Sequence, residues 1–258
     1  MGRRGCCCLR QHNCALSQNG LPVTMKHVSG QASCPMIRAI ILTAGIVFIL
    51  MSPVVAQTTA PMKQQHLGHS FDDAEKWAKV FDDPQRDALQ KPDEVLDALR
   101  LQGTDKVADI GAGTGYFSVR IAKRVLEGKV FAVDIEPDML RYLGERAHRE
   151  HLSVLVPVRA TADSSNIPEL VDVVLVVDTY HHVDNRVSYF AKLRDSLVPN
   201  GRVAIIDFKL DAPEGPPPEF RLPPEKIATE LAAAGYSLVE THTFLPRQYF
   251  LVFQRKGS

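Results

Sequence analysis

Residues 107–118 read VADIGAGTGYFS, and residues 130–140 read VFAVDIEPDML. The first stretch predicts a short apolar strand, a glycine-rich turn and the start of a helix. The second predicts another strand that ends at Asp134, followed by a helix opened by Pro137. Three glycines in the turn, Gly111, Gly113 and Gly115, let the backbone bend sharply and come close to a ligand. The N-terminus of the following helix offers free N–H donors there. An acid about 20 residues further on, at the end of the next strand, is placed to hold the hydroxyls of a ribose. The combination points to a nucleoside-type cofactor. The dinucleotide fingerprint is G-x-G-x-x-G, whereas this turn reads G-A-G-T-G, so a nicotinamide-dependent oxidoreductase is disfavoured.

Outward from these stretches the chain keeps alternating. Strands are expected at residues 107–110, 130–133, 154–158, 171–177 and 203–206. Helices are expected at residues 116–125, from about 137 to 147, and at 185–197. Residues 171–177, VDVVLVV, read as a buried central strand, and Pro199-Asn200-Gly201 reads as a turn. Alternation of this kind predicts a parallel sheet with helices on both faces. After a proline-rich loop at residues 211–224 comes a helix at 225–234, capped by Gly235. Two strands then follow, 237–243 and 249–254, too close together for a parallel crossover, so they form an antiparallel hairpin. The expected fold is α/β: a seven-stranded, mostly parallel sheet with helices on both faces and a C-terminal antiparallel hairpin. On the N-terminal side, Phe71, Ala74, Trp77, Ala78 and Phe81 recur at helical spacing. Asp82-Asp83-Pro84 breaks that helix. Pro92 opens another, with Val95, Leu96 and Leu99 on its apolar face and Gly103 at its end.

Charge and cysteine are spread unevenly over the 258 residues. Of 30 basic and 30 acidic residues, five basic ones (Arg3, Arg4, Arg10, Lys26 and Arg38) and no acidic ones lie in residues 1–56. That leaves 25 basic against 30 acidic in the body, which argues against binding nucleic acid by bulk charge. All five cysteines precede residue 35, so the body has no cysteine nucleophile and no thiolate metal site. Residues 39–51, AIILTAGIVFILM, are uncharged; Arg38 precedes them, and Val54-Val55-Ala56 follows. A basic start, a short apolar run and a small-residue exit form a secretory signal pattern. The expectation is cleavage after Ala56 and an exported chain, periplasmic or secreted, with no membrane insertion of the mature body. An uncleaved anchor through residues 36–56 is the alternative. Met25 or Met36 is a more usual start for such a signal, and residues 1–35, which have no readable fold, are expected to be an over-extended translation start. The expected domains are 1–56 (extension and signal or anchor), 57–70 (linker) and 71–258 (the α/β domain with an N-terminal helical lid).

The D-x-G-x-G-x-G turn with V-D-I-x-P-x-M-L after the second strand resembles class I S-adenosylmethionine-dependent methyltransferases of the type 11/25-like kind. ATADSSNIP, VVLVVDTYHHV, LVPNGRVAIIDF and the closing hairpin carry the likeness onward, so that it covers residues 92–254. It implies S-adenosylmethionine as cofactor. Asp109, Gly111, Ala112, Gly113 and Gly115 would face its methionine part. Asp134 would hold the ribose, with Ile135 beside the adenine. Asp163, after Ala162, would sit near the adenine amino group, and Asp178 near the cofactor amino acid and the acceptor.

His181-His182 follows the fourth strand, where ligands bind in open α/β sheets. His182, His181 and Asp178 are the candidate catalytic residues, with His182 favoured as a base if one acts. Paired histidines without a catalytic role are common at this place in the family, and methyl transfer needs little beyond alignment and exclusion of water. A metal site from His181, His182 and Asp184 is disfavoured because adjacent side chains point apart. A magnesium-dependent O-methyltransferase would have Asn after Asp207, where Phe208 stands, and an arsenite methyltransferase would need cysteines. The acceptor wall is expected from residues 77–91, the loop after the fourth strand, Asp207-Phe208-Lys209, the proline-rich loop and Arg247-Gln248-Tyr249; Trp77 and Phe81 either cover the pocket as a lid or pack on the sheet. The expected function is methyl transfer to a small-molecule acceptor. The alternatives are an inactive methyltransferase-like binding domain and a methyltransferase acting on a protein.

Overall fold

The computed structural model describes residues 71–256. The signal reading, the linker and all five cysteines lie outside the described residues. Among the described residues no helix is long and apolar enough to cross a membrane.

Three helices come first: α1 (Ala74–Phe81), α2 (Gln85–Gln90) and α3 (Pro92–Leu99). The alternating part runs β1 (Lys106–Ile110), α4 (Tyr116–Ala122), β2 (Lys129–Asp134), α5 (Pro137–Arg149), β3 (Leu155–Arg159), β4 (Val171–Val177), α6 (Arg186–Leu193) and β5 (Leu197–Phe208). It closes with α7 (Pro224–Ala233), β6 (Tyr236–His242) and β7 (Gln248–Arg255). The strands form one seven-stranded sheet in the order β3-β2-β1-β4-β5-β7-β6. The first five strands are parallel, and β7 runs antiparallel to both β5 and β6. The expected fold class is therefore the observed one, and the hairpin's second strand is the one that joins the parallel set.

Burial on both faces follows from the alternation of side chains along each strand. Val107, Val130, Ala132 and Leu175 pack in one core cluster with Leu96 of α3, Ile121 of α4 and Leu143 of α5. Ala108, Ile110, Phe131, Val133, Val174 and Val176 pack in the other, with Phe190 of α6 and Ile227 of α7. β4 breaks its own alternation once. Val171 lies in the second cluster although Val173 lies in the first, because the register against β5 shifts between them. A bulge of this kind moves a side chain to the opposite face.

The same shift corrects the expected turn at Pro199-Asn200-Gly201. β5 runs on through these residues. Val171 pairs with Leu197 and Val173 with Arg202, and Asn200 takes φ +66°. The turn chemistry is used for a bulge inside the strand. Gly103 does not end α3 either: Arg100, at φ 51°, takes the left-handed cap. α4 stops at Ala122, before the expected Val125. α2 was not expected. With only Ala88 and Leu89 apolar in six residues, it shows no period.

Candidate active site at the carboxyl edge of the sheet

The site begins where β1 ends. Gly111, Gly113 and Gly115 take φ of 75°, 55° and 92°, the left-handed region that costs other residues energy. A Cβ on Gly111 would come 2.1 Å from Thr179 Oγ1 just beyond β4, so the turn lies directly against the end of that strand. A Cβ on Gly113 would come 3.3 Å from the Phe81 ring, which places α1 over the turn. The Gly111 and Ala112 N–H groups both donate to the Val133 carbonyl, at 2.8 and 3.1 Å.

Asp134 closes this end. It is buried, and its two oxygens accept from the Gly113 N–H at 2.8 Å and the Glu136 N–H at 2.9 Å. Burial raises its pKa, and these backbone donors oppose the rise. Each oxygen keeps a lone pair for a further donor such as a sugar hydroxyl. Ile135, next in sequence, is exposed, so an apolar side chain stands beside the carboxylate. Asp109 is buried and accepts from Ser118 Oγ at 2.6 Å. Burial pushes its pKa up to about 6, against the Ser118 bond and the Arg86 charge. Its carboxylate is thus tied to α4 rather than open to solvent.

Beyond β4 the backbone changes direction at Asp178, which takes φ 52°. Two side-chain amides hold its carboxylate: Gln90 Nε2 of α2, at 2.6 Å, and Gln248 Nε2 of β7. Burial, then the neighbouring Asp207 charge, push its pKa up to about 6. Arg86 and His181 pull it the other way.

His181 and His182 lie on a 3₁₀ turn, Tyr180–His182. His181 is buried with Nδ1 2.9 Å from both oxygens of buried Asp207, so Nδ1 carries the proton and donates. His182 is exposed, and its ring lies 6.1 Å from that of Phe71, edge to face. The two imidazole centroids are 4.3 Å apart. That corrects the expectation that adjacent side chains point apart, which holds for an extended strand and not for a tight turn. Asp163 is exposed and pairs with Lys192 at 3.0 Å, and it also accepts from Thr161. Ala162 lies beside it, exposed. A hollow of about 120 Å³ lies next to this loop, lined by Ser165, Ile167 and Tyr189 among others. No residue of the glycine turn lines it.

The N-terminal helices form a cover fixed at several points. Phe71, Trp77 and Phe81 make an aromatic cluster with centroids 4.8 to 6.1 Å apart. The Ala74 N–H donates to Asp138 of α5 at 2.8 Å. Arg146 pairs with Asp82 at 2.9 Å and donates to the Thr114 carbonyl at 2.9 Å. Trp77 stacks on Phe81, whose ring lies against Gly113. Arg86 and Gln90, both on the short α2, lie in the 77–91 stretch expected to wall the acceptor, although neither was singled out there. Further on, Tyr249 is buried and donates to the Leu222 carbonyl at 3.2 Å, and Arg247 pairs with Glu214 of the proline-rich loop. These contacts bring that loop to the β5–β7 side of the sheet.

This sheet order, with a glycine turn after β1 and an acid after β2, is the Rossmann-like fold of S-adenosylmethionine-dependent methyltransferases. Residues 107–201 match the family described as methyltransferase domain. Over 116 residues the chain is 30% identical to an uncharacterized methyltransferase of Mycobacterium bovis, covering 45% of this chain and 57% of that one. Over 156 residues it is 27% identical to phosphoethanolamine N-methyltransferase 3 of Arabidopsis thaliana, covering 60% of this chain and 30% of that one. The chain thus spans only part of the length of the curated relatives it matches. Among solved structures, it is similar to a SAM-dependent methyltransferase from Aquifex aeolicus, with 26% identity and a TM-score of 0.66. That likeness covers 71% of this chain and 98% of the other.

The residues present fit the cofactor that this fold binds. The glycine turn leaves no room for a side chain at Gly111. A carboxylate with spare acceptor capacity ends β2, and an exposed apolar side chain follows it.

Proposed function

We propose that this chain is an S-adenosylmethionine-dependent methyltransferase acting on a small-molecule acceptor. The observation that carries the reading is the Gly113–Asp134 unit: a left-handed glycine turn bonded to a buried acid, with Phe81 of the lid above it. When bound, S-adenosylmethionine supplies a methyl group already made electrophilic by its sulfonium. The protein's part is then alignment and the exclusion of water. Asp134 holds the ribose, and Ile135 covers one face of the base. Phe71, Trp77 and Phe81 keep water from the turn. Asp178, fixed by two amides, orients the amino-acid end and the acceptor. His181 is clamped by Asp207, which fixes the ring and leaves Nε2 as its acceptor when neutral. Alignment alone needs no base; where the acceptor has a proton to lose, His182, exposed beside Phe71, is the side chain favoured to take it up. No side chain has to form a covalent bond.

Titration calorimetry of the full chain with S-adenosylhomocysteine and with NAD tests this reading. Binding of the first and not the second is the expected result. Asp134→Ala should weaken it by about ten- to a hundredfold, the worth of a charge-assisted hydrogen bond. Equal affinity in a folded Asp134→Ala protein would show that another residue holds the ribose. Absence of nucleoside binding by the wild type would favour the inactive-domain alternative.

A further inference from the structure

Two arginines lie against the ring of Tyr116, the first residue after the glycine turn, each with its guanidinium carbon 4.1 Å from the ring centroid. Their surroundings differ. Arg120 has a counter-ion, Asp87, at 2.9 Å. Arg86 has only neutral acceptors: Gln90 Oε1 at 2.7 Å from its Nε, and the Phe81 carbonyl at 2.8 Å from its Nη1. Among the described residues no ion pair joins it to a carboxylate. Yet it is partly buried, and loss of hydration pulls its pKa below the ordinary arginine value. A cation in this condition is costly unless an anion meets it.

The place of Arg86 says which anion. Gln90 links it to Asp178, receiving from Arg86 on its oxygen and donating 2.6 Å to Asp178 from its nitrogen. The charges of Asp178, Asp82 and Asp109 act on the guanidinium, Asp178 most strongly; Asp82 is already paired with Arg146, which leaves Asp178 and Asp109, among the described residues, without a cation of their own. The site therefore sets one unpaired cation beside two carboxylates, next to the glycine turn. That is the complement of a zwitterion: the carboxylates suit an ammonium, and the guanidinium suits a carboxylate.

Resting on the cofactor reading above, we propose that Arg86 binds the α-carboxylate of the cofactor's amino-acid part, while Asp178 faces its ammonium. The lid then does more than exclude water. It also brings the anion-binding side chain, on α2, beside Tyr116 at the end of the glycine turn.

The test uses two ligands that differ in that carboxylate alone: S-adenosylhomocysteine and its decarboxylated analogue, S-adenosyl-3-thiopropylamine. Both keep the adenosine and the ammonium. Calorimetry on the full wild-type chain should show the first binding about ten- to a hundredfold more tightly. Arg86→Gln should lose that preference, with the analogue's affinity changed less than about twofold, and Arg86→Lys should recover part of it. Equal affinities for the two ligands in the wild type, a comparison that needs no variant to fold, would overturn the assignment while leaving the cofactor reading intact. Equal loss for both ligands in a folded Arg86→Gln protein would also overturn it, leaving Arg86 as a latch between α2 and Tyr116. Failure of the wild type to bind either ligand would overturn the cofactor reading itself.

Discussion

At the β1–β2 end of the site, the parts come from one stretch of chain, Asp109 to Glu136. Neighbours in sequence do the work there: Asp134 bonds to Gly113, and Asp109 bonds to Ser118 nine positions on. At the β4–β5 end, Gln90 reaches Asp178 across 88 positions and Gln248 reaches it across 70. His181 meets Asp207 across 26. The first end is made largely of backbone shape, the second of side chains delivered by separate elements. Backbone shape needs particular residues at particular spacings, whereas a side-chain cluster can be assembled from any elements the fold brings together.

The largest effect is expected where backbone shape is most exacting. Gly111→Ala puts a non-glycine residue at φ 75° and drives its Cβ into Thr179, whose own Cβ would lie 2.8 Å away. The left-handed backbone costs about 1–2 kcal/mol, and overpacking adds about 1–3 kcal/mol. Urea unfolding should therefore show a loss of about 2–5 kcal/mol, together with loss of nucleoside binding. Thr179→Ala in the same chain should recover the part due to Oγ1 and Cγ2. If the two substitutions simply add, the turn does not rest on the end of β4 and the two ends of the site are separate.

This difference sets how much could be read in advance. The sheet, its hairpin, the glycine turn and Asp134 rest on period and spacing, which are local, and the structure places them as expected. Asp178 and His181 stood out only by position at a strand's end; their partners could not be read. Arg86 and Gln90 fell within a stretch expected only to wall the acceptor; nothing marked them individually, since α2 is one short helix with two apolar residues, and its place beside Asp178 depends on how the N-terminal helices pack. The strand through Asn200-Gly201 misled for a related reason. The same residues suit a turn and a bulge, and only the pairing partner β4 decides between them.

A second comparison concerns charge, and its effect is of middle size. Asp109 is buried, and burial lifts its pKa to about 6, so the folded state favours its protonated form. An unfolded aspartate titrates near 3.9. Between about pH 4 and 6 the folded chain therefore holds more protons than the unfolded one, and this residue's contribution to stability falls as pH rises through that window. Asp109→Asn keeps an acceptor for Ser118 and removes the titration. The stability of the variant relative to wild type should thus climb by about 1–3 kcal/mol between pH 4 and 7, as read by urea unfolding at each pH. A flat difference would mean that Arg86 and Ser118 fully offset the burial.

The smallest effect is expected at Asp163, where the sequence resemblance and the structure weigh a residue differently. The resemblance sets it near the adenine amino group. In the structure its carboxylate is exposed, with Lys192 holding it below the usual aspartate range and Thr161 adding a hydrogen bond. Exposed pairs of this kind contribute little to stability, so Asp163→Ala should leave the unfolding midpoint nearly unchanged. Binding separates the two roles. If the carboxylate leaves Lys192 to accept from the adenine amino group, Asp163→Ala should weaken S-adenosylhomocysteine by about two- to tenfold, the range of one ordinary hydrogen bond. Lys192→Ala should then leave binding unchanged or strengthen it, because it frees the carboxylate. If instead the pair only fastens the loop after β3 to α6, both substitutions should act alike and weakly on binding. The sign of the Lys192→Ala effect therefore decides, and calorimetry on the two variants side by side reads it directly.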